Sequence, residues 1–209
     1  ADRVLAAART KAGARELQLG LASQRSSFLL WRAADGEPLT PLISWQDRRA
    51  ADWCAQHADW EEELHRVTGL TLSPHYAGPK LAVLLAAEPD LATQLADGRA
   101  RFGTLDCWLL WRWSSGRVHA VDFTMAARTL LCDARAAAWW PAALERCGVP
   151  AAALPQIVPT RGRRFELDDG LVWTAGVADQ ASGALTVFGN RRDAALVNLG
   201  TGGFVLAPT

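Results

Sequence analysis

Apolar residues recur along this chain at two spacings. Val4, Leu5 and Ala8 fall on one helical face, which predicts a helix over residues 1–14. Residues 17–23 and 27–32 are short apolar runs and read as strands. Asp35-Gly36-Glu37-Pro38 is a turn signal before the next apolar pair, Leu42-Ile43, so this region is expected to form a hairpin or meander. Trp53, Trp60, Leu64 and Val67 share a stripe, predicting one helix from Asp47, its expected N-cap, to Val67, with Gly69 as its stop. Residues 73–79 read as a loop. Further helices are predicted at 80–88, 104–113, 139–147 and 180–188, and further strands at 171–177 and 194–199. Pro150, Pro155 and Pro159 punctuate an irregular connection. Helices alternating with strands make the expected class α/β.

Composition narrows the partners. Half of the 209 residues are hydrophobic, enough for a sizeable core. Lys+Arg and Asp+Glu both number 22, so the chain lacks the basic surplus of a general nucleic-acid or anionic-membrane binder. No apolar run approaches the roughly 18 residues of a membrane span. Cys54, Cys107, Cys132 and Cys147 are far apart, with no zinc-ligand spacing; buried free thiols in a reducing cytoplasm are expected, and no metal site. The chain opens on Ala1 already at helical spacing and closes on an apolar run, so both ends are expected to be cuts from a longer protein.

Four segments could carry chemistry. In residues 173–182 an apolar strand gives way to a helix at Asp179. Ligands of α/β folds bind at the C-terminal ends of strands, where a carboxylate can act as a general base. The same position suits a helix N-cap, the commoner use. Gly200-Thr201-Gly202 could bring backbone amides up to an anion, or simply make a tight turn. Arg25, in Ser23-Gln24-Arg25-Ser26-Ser27, offers a fixed fork of donors for sugar oxygens, or is a surface Arg in a hairpin turn. Trp45 could cover the C–H face of a polyol, or belong to the core with others of the ten tryptophans. His75 and Tyr76 could line a pocket. Trp108 and Trp111 share a helix face and read as a core or interface stripe.

The order of these segments is more telling than any one of them. Gly20-Leu21-Ala22-Ser23-Gln24-Arg25 is followed by Trp45-Gln46-Asp47-Arg48-Arg49 and Thr68-Gly69-Leu70-Thr71-Leu72-Ser73-Pro74. Phe102-Gly103-Thr104-Leu105-Asp106-Cys107-Trp108-Leu109, Ala175-Gly176-Val177-Ala178-Asp179-Gln180 and Gly200-Thr201-Gly202 come next. The series resembles the FGGY carbohydrate kinases, most of all the glycerol kinases among them. The resemblance implies an actin-like, ribonuclease-H-like ATPase domain that lacks its first hairpin and second domain. It implies residues 1–189 as a partial N-terminal substrate-binding domain and residues 190–209 as the start of a C-terminal ATP-binding domain.

The same resemblance implies ATP and Mg2+ as cofactors and a cytoplasmic enzyme that moves the γ-phosphate to a hydroxyl of a small sugar or polyol. Asp179 matches the catalytic base. Arg25, Gln24, Ser26, Trp45, His75 and Gln180 match substrate-binding positions, and Gly200, Thr201 and Gly202 match a loop near the ATP phosphates. The chain departs from the family pattern at several places. Glycerol kinases carry Gln-Arg-Glu where this chain has Gln24-Arg25-Ser26, Tyr where it has His75, and a signature Trp where it has Val83. Their Asp-Tyr-Thr-Asn-Ala-Ser-Arg-Thr corresponds to Asp122-Phe123-Thr124-Met125-Ala126-Ala127-Arg128-Thr129. Ser26 and His75 count against glycerol itself, so another polyol, a ketose or a relaxed pocket is expected. Residues 1–209 by themselves are expected to turn over negligibly. Two other classes remain: a non-catalytic sugar-binding or regulatory relic, and an interaction module whose tryptophans form a homodimer interface.

Overall fold

The computed structural model describes residues 1–13, 17–189, 191–199 and 203–207. The chain opens with helix α1 (Asp2–Ala12), strand β1 (Leu17–Ser23) and strand β2 (Phe28–Arg32). Helices α2 (Ala51–Gln56), α3 (Glu61–Thr68), α4 (Ala77–Ala87) and α5 (Pro89–Ala96) follow, then β3 (Ala100–Thr104) and α6 (Leu105–Trp113). Next come β4 (Ala120–Asp122), α7 (Phe123–Ala126), β5 (Cys132–Asp133), β6 (Ala138–Trp139) and α8 (Pro141–Arg146). The last elements are β7 (Gln156–Val158), β8 (Arg161–Glu166), β9 (Leu171–Ala178), α9 (Asp179–Phe188), β10 (Leu196–Leu199) and β11 (Gly203–Leu206).

The α/β class holds, and β1, β9 and α9 lie within a residue or two of their expected bounds. The strands pair across long sequence separations. β1 runs parallel to β9, which is antiparallel to β8. β2 pairs antiparallel with β3, and β4 parallel with β7. Because β1 and β2 take different partners, residues 24–27 are a crossing between two pairings rather than a hairpin turn. The chain after β2 does fold back on it, through antiparallel bridges Phe28–Ile43 and Trp31–Pro38.

One expected helix is three pieces: α2, a short 3-10 turn over Ala58–Trp60, and α3. Asp47 caps nothing: its Oδ1 accepts from the Arg49 amide at 2.9 Å, and its Oδ2 from Arg49 Nη2 at 2.7 Å. This local turn captures the carboxylate, and helix starts only at Ala51. It stops at His57, whose ring stacks on Trp53 at 3.8 Å and donates through Nδ1 to the Trp53 carbonyl at 2.8 Å. The stripe survives the break, with Trp60 and Leu64 buried, and Gly69 ends α3 in the left-handed region. The loop expected at 73–79 is shorter, because α4 already begins at Ala77.

The core has one part under the candidate site. Leu29 and Trp31 from β2, Cys107 and Trp111 from α6, Val121, Met125 and Ala178 pack into one buried cluster. It joins the end of β9 to the rest of the molecule, so the residue after Ala178 springs from a rigid base. All four cysteines are buried free thiols, and burial pushes each thiol upward, Cys132 and Cys147 to about 12. Among the described residues no helix is long and apolar enough to cross a membrane.

Candidate active site

The site is built where strands end. β9 stops at Ala178, and Asp179 is the first helical residue of α9. It is not the N-cap: Ala178 holds that position, with no side chain to serve it. The Asp179 carboxylate, 46% exposed, accepts the neighbouring Gln180 amide at 2.8 Å through Oδ1. The same oxygen lies 3.5 Å from Nε of Arg25, whose side chain is 17% exposed. Arg25 comes from the crossing after β1, brought beside β9 by their parallel pairing.

A second guanidinium stands close by. Burial lowers the Arg25 pKa first, and the charge of Arg128 lowers it further; Asp179 and Tyr76 act in the opposite sense. Arg128 donates through Nη2 to the Tyr76 hydroxyl at 3.0 Å and lies over its ring at 5.0 Å. The Ser26 hydroxyl donates to the Arg128 carbonyl at 3.1 Å, with Ser26 held in the left-handed region at φ 63°. Tyr76 leads back to His75, whose ring lies 5.9 Å from Trp45 and donates through Nδ1 to the Trp45 carbonyl at 3.2 Å. The Trp45 amide donates to Ser27 Oγ at 3.0 Å, tying it to the Arg25 crossing. Lys80, fully buried, donates to the Ser44 carbonyl at 2.7 Å; burial lowers its pKa to about 8.

Asp179 and Arg25 are therefore in contact, Gln180 follows on α9, and Trp45 and His75 form a linked pair reached through Tyr76 and Arg128. Gln180 offers its amide oxygen to Asn198 Nδ2 at 2.9 Å. Gln24 is exposed beside Arg25. Ser26 is buried, its hydroxyl committed to a backbone carbonyl. Gly200, Thr201 and Gly202 lie outside the described residues. Residue patterning missed Arg128, whose guanidinium holds Tyr76 and whose charge acts on Arg25; its only signal is its place in the segment from Asp122 to Thr129. Among the described residues no three His, Cys, Asp or Glu side chains are grouped to hold a metal ion.

Residues 8–185 match the model of the FGGY family of carbohydrate kinases, N-terminal domain. The chain belongs to the FGGY family of carbohydrate kinases. A glycerol kinase of Alkalilimnicola ehrlichii is 40% identical over 199 residues, covering 91% of this chain and 40% of that protein. One of Thermus brockianus is 43% identical over 158 residues, covering 75% and 32%. Plasmodium falciparum glycerol kinase with ADP superposes with a TM-score of 0.87 at 22% identity, over 98% of this chain and 42% of that one. A xylulose kinase of Rhodospirillum rubrum gives 0.83 at 21%, over 96% and 43%. The FGGY chain described here thus spans about 40% of the length of such relatives. Its fold is the actin-like, ribonuclease-H-like α/β fold of those kinases.

Proposed function

We propose that the protein containing this chain is an ATP-dependent carbohydrate kinase that phosphorylates a hydroxyl of a small polyol or ketose. The observation that carries the reading is the approach of Arg25 Nε to Asp179 Oδ1, 3.5 Å. It sets a part-exposed carboxylate beside a forked donor, as a base and an acceptor-holding group require. Asp179 takes the proton of the acceptor hydroxyl as its oxygen bonds to the γ-phosphorus and the bond to ADP breaks. Arg25, Gln24 and Gln180 hold the other hydroxyls, and Trp45, backed by His75, covers the carbon face.

ATP carried with Mg2+ supplies the phosphoryl group, and Gly200-Thr201-Gly202 is assigned to its phosphates. The chemistry carried by the described residues is that of the acceptor end. Residues 1–189 form the substrate-binding domain in this reading, and residues 190–209 lead into the ATP-binding domain. A placed base supplies about 10²–10⁴-fold of rate, whereas whole enzymes reach about 10⁶–10¹⁷-fold. Residues 1–209 alone are thus assigned negligible turnover. ADP release by the full reading frame, measured with ATP and a panel of polyols and ketoses, tests the proposal; silence across the panel would refute it. Robust sugar phosphate from residues 1–209 alone would overturn the division of labour.

A non-catalytic sugar-binding relic is the second reading, favoured by the commitment of Ser26 to the Arg128 carbonyl where the glycerol kinase pattern has Glu. Calorimetry separates the two. The relic binds sugar alike with and without nucleotide, and its full reading frame makes no sugar phosphate.

A further inference from the structure

Apart from the Arg25–Asp179 pair, three strand ends meet at one buried carboxylate. Asp122 closes β4 and is 1% exposed. Its Oδ1 accepts from the Thr124 amide at 2.9 Å and also from the Thr124 hydroxyl. Its Oδ2 accepts from the Thr160 hydroxyl at 2.6 Å. Thr160 stands two residues past Val158, the β7 partner of Asp122, and its carbonyl accepts from the Gly176 amide of β9 at 3.1 Å. The Thr124 hydroxyl is oriented by its donation to Asp122, and so presents a lone pair to the Ala178 amide, 2.8 Å away. Ala178 is the residue immediately before Asp179.

The approach is close by construction. A Cβ on Gly176 would stand 2.8 Å from Trp173 Cζ2 and 3.3 Å from Asp122 Cβ. Only glycine lets β9 come up against Asp122 without displacing either group. Asp122 is buried and donated to on both carboxyl oxygens, Thr124 and Thr160 are half-buried, and hydrogen bonds in such low-dielectric surroundings hold geometry firmly. Asp122 has no role in the mechanism above.

We propose that Asp122, acting through the Thr124 hydroxyl, is a positioning residue that sets the β9–α9 junction and with it the direction from which Asp179 meets the acceptor hydroxyl. This rests on the kinase reading, in which Asp179 is the base. Phosphoryl transfer depends on alignment, and a misplacement of about 1 Å can cost roughly 10²-fold.

The test is a set of variants in the full reading frame: Thr124→Val, Thr124→Ser and Asp122→Asn. Each is assayed for steady-state kinetics, thermal midpoint and amide hydrogen exchange at Ala178, Asp179 and Gln180. Thr124→Val should lower kcat by roughly 10²-fold with KM held within about threefold. Thr124→Ser, which keeps the hydroxyl, should restore kcat. Exchange at the three junction amides should quicken in Thr124→Val and Asp122→Asn relative to β3. The proposal is overturned if Thr124→Val keeps wild-type kcat, or if Thr124→Ser fails to rescue it. Where wild type phosphorylates nothing, the kinase reading has failed, and junction exchange alone decides the clamp: faster exchange in Thr124→Val supports it, unchanged exchange refutes it.

Discussion

Arg25 Nε and Asp179 Oδ1 face each other at 3.5 Å across the parallel pairing of β1 with β9. That separation is longer than a good charge-assisted hydrogen bond, and the carboxylate is 46% exposed. The pair is therefore loosely joined, leaving the Asp179 carboxylate able to accept a proton in the proposed reaction. Asp179→Asn in the full reading frame should cut kcat by about 10²–10⁴-fold. The substitution is isosteric and leaves Arg25 in place, so sugar affinity measured by calorimetry should stay within about threefold. Surviving turnover would show that another group takes the proton.

Trp45 is held from both sides, by Ser27 Oγ at its amide and by His75 at its carbonyl. In the proposed acceptor pocket, a flat ring held in this way would contribute to binding in the ground state and the transition state alike. Trp45→Ala should therefore raise KM by about tenfold with little change in kcat, the signature of lost uniform binding. A fall confined to kcat in steady-state assays would remove Trp45 from the acceptor pocket.

Ser26 sits where the glycerol kinase pattern has an acid. Its backbone lies in the left-handed region and its hydroxyl is committed to the Arg128 carbonyl. A carboxylate there can accept from an acceptor hydroxyl, and hydrogen bonds to charged groups contribute about 1.5–3 kcal/mol. Ser26→Glu should accordingly raise glycerol kcat/KM by about tenfold or more. Equal glycerol kinetics in the two proteins would show that this position does not select the acceptor.

Gly103 is a packing glycine. A Cβ on it would meet Cys107 Sγ and Trp31 Cη2, each at 2.7 Å. Both atoms belong to the cluster beneath Ala178 and are too confined to yield. Gly103→Ala should cost about 1–3 kcal/mol, read as a lower denaturation midpoint at unchanged slope. An unchanged midpoint would mean this core is looser than its geometry implies.

The site was legible where local chemistry and tertiary placement agree. An apolar strand running into a helix marked Asp179, and a short polar crossing marked Arg25. Asp47 was misread because a carboxylate followed two residues later by Arg satisfies itself locally, which composition alone does not reveal. β3 gave little signal, since Arg101 and Gly103 interrupt its apolar run; pairing with β2 makes it a strand. β8 is almost wholly exposed and polar, and only the edge of β9 imposes its form. Nothing local to Thr124 marks it in the sequence, because its second partner, the Ala178 amide, comes from a distant strand.

His119 makes stability depend on acidity. Its ring meets Trp31 and Trp111 edge-on at 5.5 and 5.4 Å, and Nε2 donates to the Phe102 carbonyl at 2.9 Å. Burial, helped by the charge of Arg101, lowers its pKa to about 4. The unfolded chain, titrating near 6.5, then binds more protons than the folded one between those values, so stability falls as pH drops through that window. The slope is about 1.4 kcal/mol per pH unit, and the full loss about 3 kcal/mol at most. Asp106 works in the opposite sense. Burial raises it to about 6, and one of its buried carboxyl oxygens has no hydrogen-bond partner, as suits a protonated acid. The folded state therefore gains protons there as pH falls from about 6 toward 3.8, which offsets part of the histidine loss. The two are separated by His119→Gln, which keeps a donor for the Phe102 carbonyl and cannot ionise. Thermal midpoints from pH 7.5 to 4 should fall less steeply in the variant than in wild type, with the curves diverging below about pH 6.5. Parallel curves across that range would show that His119 does not titrate in the folded protein as its surroundings require.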